Sequence, residues 1–455
     1  MIDIAYIVSH GFAARMVTQT DLLGLLVKEG KKVALICPDK NDENLKTYCE
    51  NVGVILYEFS PESSFWTAQY ADMRKYFLED IDANVALKEK HIWATRYNKS
   101  KNPINILKPY LAYFVYKLIK IFPIIRQWYK AREEKHLYSP LAEKLIQEIK
   151  PKVLVSTYPV SFTEAMLLKA GNNHANTKTI IHLLSWDNIT CKGHFPQLAD
   201  EYIAWGPIMK DEFMEYYNIP ENKIHVCGVP HFDVHFTEKD SPLKNVKFIL
   251  FGMSAQRFVP NEIDIVEWIS KFIEENYNDL DLHFIVRPHP QNLTGNMTEK
   301  SWIKRLKDLN KGKTSVNFPT TINSKLAWSL KLNDMNVLSE LLQNCSVFIN
   351  SGSTLSIEAL GLNKPTILTS FDANENRDYW DSSRRHKDSK HLQKMISLGG
   401  VSVVNSFDEL KNAINNAIVS PNELSNARIH TYNQECFMID NKSTKRVVNV
   451  LKSFK

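Results

Sequence analysis

The sequence predicts an α/β protein of two doubly wound, Rossmann-like domains facing a central cleft. Three observations predict it. Short all-apolar runs alternate with helix-length stretches, the pattern of parallel strands buried between helices. That rhythm stops at a polar stretch, "SPLKN" (241–245), and then restarts. The chain of 455 residues is also too long for one hydrophobic core.

The first domain is expected over 1–240. "IDIAYIVS" (2–9) reads as a strand that turns at His10-Gly11 into a helix from about 15 to 28. Gly30 closes that helix, and a second strand follows at 33–37. Strand-like runs return in "KPKVLVSTYP" (150–159), "TKTIIHLLSWDN" (177–188), "DEYIAWGP" (200–207) and "KIHVCGVP" (223–230). The second domain is expected over 241–425. It opens with "VKFILFGMS" (246–254) and continues through "LHFIVRPHP" (282–290), "TSVNF" (314–318), "CSVFINSGSTLSIEALGLNKPTILTS" (345–370) and "GVSVV" (400–404). A C-terminal helix over 426–455 is expected to return to the first domain.

Between 85 and 136 the rhythm is interrupted. In "NPINILKPYLAYFVYKLIKIFPIIRQWYKAREEK" (102–135) aromatic and aliphatic residues interleave with lysines and arginines. The apolar runs are too short to span a bilayer. A basic, aromatic segment at 104–132 fits either an insertion packed on its own domain or a helix lying on an anionic membrane surface.

Composition narrows the classes. With 44% hydrophobic and 24% charged residues the chain is that of a folded globular protein. Six cysteines are scattered without CxxC spacing, which suits reduced thiols in a cytoplasmic protein and excludes a disulfide framework. The start runs straight into a strand, so no signal peptide is expected. A formal charge of +5 is mild for this length, and nothing calls for nucleic acid.

Six constellations stand out, five of them at expected strand ends, where open parallel sheets bind ligands. In "FIVRPHPQN" (284–292) two prolines stop the strand and fix Arg287 and His289 at its carboxyl end. In "SHGFAARM" (9–16) Gly11 allows close backbone approach, and His10 is placed to take a proton from an attacking hydroxyl. This is neither a dinucleotide fingerprint nor a Walker loop. In "NSGSTLSIEALGLNKPTI" (350–367) Gly352, Ser353 and Thr354 open a helix suited to a diphosphate, and Glu358 stands a turn further on for a ribose diol. "HLLSWDNITCKGHF" (182–195) offers Trp186, Asp187 and Asn188, and "VCGVPHFDVHF" (226–236) follows another strand; both also suit turn chemistry. "YWDSSRRHKDSKHL" (379–392) pairs Arg384 with Arg385, a phosphate-binding arrangement or a solvated basic face.

Taken in order, "RPHP", "INSGSTLSIEALGLNKPTI" and "YWDSSRRHKDSKHL" resemble the C-terminal half of GT-B transferases that build bacterial surface polysaccharides. "WGPIMKDEFMEYYNIPENKIHVCGVPHFD" (205–233) is similar to the end of that group's N-terminal domain. The group includes surface-carbohydrate glycosyltransferases and CDP-glycerol glycerophosphotransferases, and the UDP-N-acetylglucosamine 2-epimerase is its fold relative. The resemblance implies a nucleotide-activated donor on the C-terminal domain and a glycan or lipid-linked acceptor on the N-terminal one. It implies His289 at the donor phosphates with Arg287 beside it, Ser353 and Thr354 at the diphosphate, and Glu358 at the ribose. Arg384 or Arg385 would join them, and His10 would be the base of an inverting reaction.

The chain reads "NSGSTLS" where glycerophosphotransferases carry Asp-Tyr-Ser-Ser, which favours a sugar donor. No DxD-like pair stands at a strand end, so metal-independent transfer without a cofactor is expected. The expected place is the cytoplasm, with a peripheral position on the inner membrane face. The alternatives are a glycerophosphotransferase, a 2-epimerase-like isomerase, and a non-catalytic subunit of a polysaccharide complex.

Overall fold

The computed structural model describes all residues except 62–63, 99–101, 123, 238–239, 278–279, 295–298, 321–325, 327–329, 332 and 455. The chain divides into two compact units. One holds Met1–Cys227 and Thr444–Lys455, together with the short stretch that includes Leu326; the other holds Gly228–Asn323 and Trp328–Ser443. The division falls at Cys227, before the 3₁₀ segment Pro230–Phe236. The expected single C-terminal helix is two helices. Ser425–Cys436 belongs to the second unit, and from Thr444 onward Ser443–Ser453 belongs to the first.

The first unit contains β1 (Ile2–Ile7), β2 (Val33–Cys37), β3 (Ile55–Glu58), β4 (Pro151–Ser156), β5 (Lys178–His182), β6 (Glu201–Ala204) and β7 (Ile224–Val226). They form one parallel sheet in the order β3-β2-β1-β4-β5-β6-β7, so the direction of winding reverses between β1 and β4. β3 escaped the sequence reading; its burial is partial and its run short. Along β1, Ile4 and Tyr6 enter the core on one face while Ala5 and Ile7 enter the core on the other. That alternation is why an all-apolar strand is required here. Val447, Val448 and Leu451 of the returning C-terminal helix complete the first of these cores.

The second unit contains β8 (Lys247–Gly252), β9 (Leu282–Arg287), β10 (Thr314–Val316), β11 (Val347–Asn350), β12 (Thr366–Thr369) and β13 (Ser402–Val404), all parallel, in the order β10-β9-β8-β11-β12-β13. Its reversal lies between β8 and β11. Ile249 and Phe251 face one core and Phe248 and Leu250 the other.

The helix expected from about 15 to 28 is broken into Gly11–Thr18 and Leu22–Lys28. The Thr18 and Thr20 hydroxyls donate back to the carbonyls of Ala14 and Met16, both at 2.8 Å, a bonding pattern that competes with helix continuation. The insertion is larger than the sequence suggested. Helices Phe65–Leu78, Val85–Arg96, Pro103–Ile121 and Ile124–His136 precede Pro140–Ile149 and β4. Three of its lysines are paired: Lys108, Lys117 and Lys120 meet Asp72, Asp82 and Asp80 of the same insertion at 3.1, 2.5 and 3.0 Å. The opposite side of Pro103–Ile121 is apolar and exposed.

One buried glutamate stands at each reversal point. Glu164, in the first turn of the helix Phe162–Asn173, accepts from Ser9 Oγ at 2.5 Å, Ser156 Oγ at 2.6 Å, and the amides of Thr157 and Tyr158 at 2.9 and 2.8 Å. It therefore ties the loop after β1 to the loop after β4. Glu262, in the first turn of the helix Glu262–Asn276, accepts from the Ser254 amide and from Ser351 Oγ, both at 2.7 Å, tying the loop after β8 to the loop after β11. Burial pushes Glu262 up to about 8, against the hydrogen bonds from Ser351 and Ser254. A carboxyl raised on folding holds its proton more tightly when folded. Its contribution is therefore complete below the unfolded value near 4.5 and is lost as pH rises through the folded value. We expect wild type to lose thermal stability relative to Glu262→Gln as pH rises from about 5 to about 8. Parallel melting curves for the two proteins across that window would contradict this.

Candidate functional site

In the second unit three neighbouring strands end level with one another. Gly252 of β8 is in register with Arg287 of β9 on one side and Asn350 of β11 on the other. The loops that leave these positions are Met253–Phe258, Pro288–Asn292 and Ser351–Thr354, at the sheet's reversal point. The structure thus brings His289 and the Gly352-Ser353-Thr354 turn to level strand ends on either side of β8. Asn292 links two of these loops, since its Nδ2 donates to the Ser254 carbonyl at 2.9 Å and its Oδ1 accepts from the Gln256 amide at 3.0 Å. Asn292 was quoted in the sequence motif but given no role; a polar residue after a strand-ending proline pair was its only signal.

His289 is held by a backbone bond. The Gln291 amide donates to its Nδ1 at 3.1 Å, and burial lowers its pKa to about 4. The ring is therefore neutral near pH 7 with its proton on Nε2, which makes His289 a hydrogen-bond donor at that atom. Gly352 has φ +97, and an added Cβ there would lie 2.9 Å from Leu392, so both conformation and space require glycine. Ser353 Oγ accepts from Asn350 Nδ2 at 3.0 Å. Thr354 precedes the seven-residue helix Leu355–Gly361 without a side-chain cap.

Other expected donor contacts are spent elsewhere. Arg287 is buried and donates to Asp334 and to Asn317, so it braces the strand end and does not present its guanidinium to a diphosphate. Glu358 is buried and bonded to His235 Nε2 at 2.7 Å, which places its carboxylate against Pro230–Phe236 and away from a ribose contact. The motif "VCGVPHFDVHF" thereby acquires a structural role the sequence did not disclose. Arg384 and Arg385 diverge. Arg385 is buried and bonded to the Ser382 carbonyl, while the exposed Arg384 donates to Ser382 Oγ at 2.8 Å and the Arg377 carbonyl at 2.7 Å. Asp372 organises this loop from the end of β12 by accepting from Ser382 Oγ at 2.5 Å and the Ser383 amide at 2.7 Å.

In the first unit His10 repeats the device seen at His289. It caps the helix Gly11–Thr18 by accepting the Phe12 amide at Nδ1, 3.2 Å, and burial followed by the nearby Lys192 lowers its pKa to about 4. With Nδ1 occupied, the neutral ring offers an Nε2–H donor, and the expected role as a proton-accepting base requires that cap to be released. Gly11 is buried as the first residue of that helix. Trp186 and Asn188 are buried. Asp187 accepts from Ser185 Oγ at 2.7 Å and pairs with Lys192 at 2.9 Å. The insertion helix Val85–Arg96 covers this loop, through Asn84 to the Thr190 carbonyl at 2.7 Å and Lys90 to the Cys191 carbonyl at 3.1 Å.

Solved structures share this architecture over the whole chain. The UDP co-structure of Staphylococcus aureus MnaA aligns with a TM-score of 0.57 at 11% identity, covering 100% of this chain and 97% of that one. A glycosyltransferase from Rickettsia africae aligns at 0.50 with 13% identity, covering 100% and 98%. The UDP-GlcNAc 2-epimerase of Methanocaldococcus jannaschii, in complex with UDP-GlcNAc and UDP, aligns at 0.51 with 15% identity, covering 99% and 100%. The fold is GT-B. No protein-family model and no curated protein matches the sequence.

The placement of Glu358 separates two roles. Breaking a buried, bonded pair costs about 3–5 kcal/mol. We expect Glu358→Ala to lower the thermal unfolding midpoint sharply, while the variant that remains folded binds UDP with nearly wild-type affinity in calorimetry. A stable variant with lost UDP affinity would restore the ribose contact.

Proposed function

We propose that this chain is a nucleotide-sugar-dependent glycosyltransferase that transfers a sugar to a hydroxyl of a surface-polysaccharide or lipid-linked acceptor. The observation that carries the reading is the donor geometry at the reversal point of the second unit. An Nε2–H from His289 and the turn at Gly352–Thr354 leave from level strand ends that flank β8. Backbone amides of such a turn and a neutral imidazole donor both suit an anion. When the glycosidic bond to the donor breaks, the leaving diphosphate gains charge, and these groups stabilise it without reorganising. His10, at the end of β1 in the first unit, would hold the acceptor hydroxyl.

The likeness to 2-epimerases supports a second reading, isomerisation of a nucleotide sugar without an acceptor. Incubation of the purified chain with UDP-GlcNAc alone separates the two: conversion to an epimer establishes the isomerase, and its absence together with transfer to an added acceptor establishes the transferase. We expect transfer to persist in EDTA, and His289→Ala to reduce turnover roughly 100-fold or more with the unfolding midpoint unchanged. Full activity of that variant, or a metal requirement restored after chelation, would overturn the mechanism.

We further propose that the insertion rests on a membrane surface. Ile104, Leu107, Leu111, Phe114, Leu118 and Ile121 are all exposed and follow one another at alternating spacings of three and four, so they form one stripe on Pro103–Ile121. Phe122, Ile124 and Trp128 extend the apolar surface, and Arg132 lies over Trp128 at 5.8 Å. No helix among the described residues is long and apolar enough to cross a membrane, so the stripe would lie in the interface. Wild type should float with anionic phospholipid vesicles and the Leu111→Asp, Phe114→Asp double variant should stay behind. Equal flotation, or a wild-type dimer that the variant splits without any change in vesicle binding, would refute it.

A further inference from the structure

The first unit contains a second polar site that the reading above does not use. A cavity of about 210 Å³, where a single water needs roughly 10–15 Å³, is lined by the insertion helices Phe65–Leu78 and Val85–Arg96, by Val160 and Phe162, and by Lys192–His194. Four cations line it: Arg74, Lys75, Lys90 and Lys192.

Their partners divide them into two classes. Arg74 is neutralised by Glu133 at 2.6 Å, and Lys192 by Asp187 at 2.9 Å. The two acids on the wall are likewise engaged, Asp72 with Lys108 at 3.1 Å and Glu79 with His194 at 2.9 Å. Lys75 and Lys90 have no carboxylate within ion-pair distance among the described residues, and Lys90 is bonded to a neutral carbonyl, that of Cys191, at 3.1 Å. Two unbalanced ammonium groups therefore line one partly desolvated cavity. Burial, with Lys192 next, pulls Lys90 down to about 8, and Lys75 is lowered by burial as well. Placing uncompensated charge there costs stability, a sign of a ligand site more than of a packing solution.

We infer that this cavity binds a phosphoryl group of the acceptor substrate. Two lysines without an ion-pair partner suit a phosphate anion, and ammonium groups hold phosphate by charge-assisted hydrogen bonds. The site also adjoins the chemistry assigned to this unit. Lys192 on the cavity wall acts on the charge of both His10 and Tyr158, whose rings lie 5.6 Å apart at the ends of β1 and β4. A phosphoryl group in the cavity would leave the acceptor's hydroxyl near His10. The inference rests on the transferase reading, and it adds that the acceptor is phosphorylated.

The test measures three probes on wild type, Lys75→Met, Lys90→Met and the double variant. The probes are inorganic diphosphate, glycerol 3-phosphate, and vesicles containing phosphatidic acid, with UDP binding as a separate readout. We expect the soluble phosphates to bind wild type, each single substitution to weaken them about tenfold, and the double variant to lose them. Lys90→Arg should retain most of the affinity, and Lys90→Met should melt at or above the wild-type temperature. UDP affinity should be unchanged throughout, so its loss from wild type would instead remove the donor reading. Soluble phosphates that bind the double variant as tightly as wild type, or that fail to bind wild type, overturn the site. Vesicle binding that ignores both lysines and follows Leu111 and Phe114 assigns the lipid contact to the exposed stripe, and without soluble phosphate binding it overturns the site as well.

Discussion

A buried carboxylate clamping two strand ends is the constraint on which both units depend. In a doubly wound sheet the reversal point opens a gap between two loops that turn to opposite faces, and nothing in the sheet's own ladder holds those loops together. Glu164 and Glu262 close that gap from the first turn of the helix that follows the central strand. Each collects donors from both loops, so the loops are positioned relative to each other by short bonds through one interior group. A buried carboxyl without donors would cost several kcal/mol, so the bonds and the fold require each other. The flanking residues inherit this rigidity: Tyr158 beside Glu164, and the Ser351–Thr354 turn beside Glu262.

The histidines use a second repeated device. His10 and His289 each accept the amide two residues on at Nδ1, and each is depressed to about 4 by burial. The backbone bond chooses the tautomer, and burial keeps the ring neutral. Each site is thereby left with one directed Nε2–H and no positive charge. In the proposed transferase, such a donor at His289 would serve a leaving diphosphate. At His10 it argues for orienting a hydroxyl, and a base of pKa near 4 would be a weak one at neutral pH.

The sheets were legible because their signal is local: a strand buried on both faces must be continuously apolar, and twelve such runs could be read in order. β3 was missed because it is the half-buried edge of its sheet, where that requirement lapses. The motifs at the strand ends were legible for the same reason, since Pro, Gly and His mark where ladders stop. Partners were not. Nothing local to "RPHP" says that Arg287 meets Asp334, 47 residues on, or that Glu358 meets His235 across 123. A charged residue near a ligand motif has the same sequence signature whether it faces the ligand or braces the loop behind it. The arginine pair shows this most directly, because adjacent residues in a 3₁₀ turn point apart and Asp372, which arranges them, lies upstream.

The insertion carries what distinguishes this chain from two bare doubly wound sheets. Its lysines at 108, 117 and 120 seemed to promise a basic membrane face, yet they pair with aspartates 72, 82 and 80 of the insertion itself. That pairing has two consequences. It leaves the outer side of Pro103–Ile121 almost purely apolar, so any contact with lipid there draws on burial of apolar surface more than on attraction to anionic headgroups. It also engages Asp72, Asp80 and Asp82 away from Lys75 and Lys90, which line the cavity. The insertion thus carries both an exposed apolar stripe and a cavity wall rich in cations. In the proposed transferase, a phosphorylated, lipid-linked acceptor would offer an apolar part to the first and an anionic part to the second.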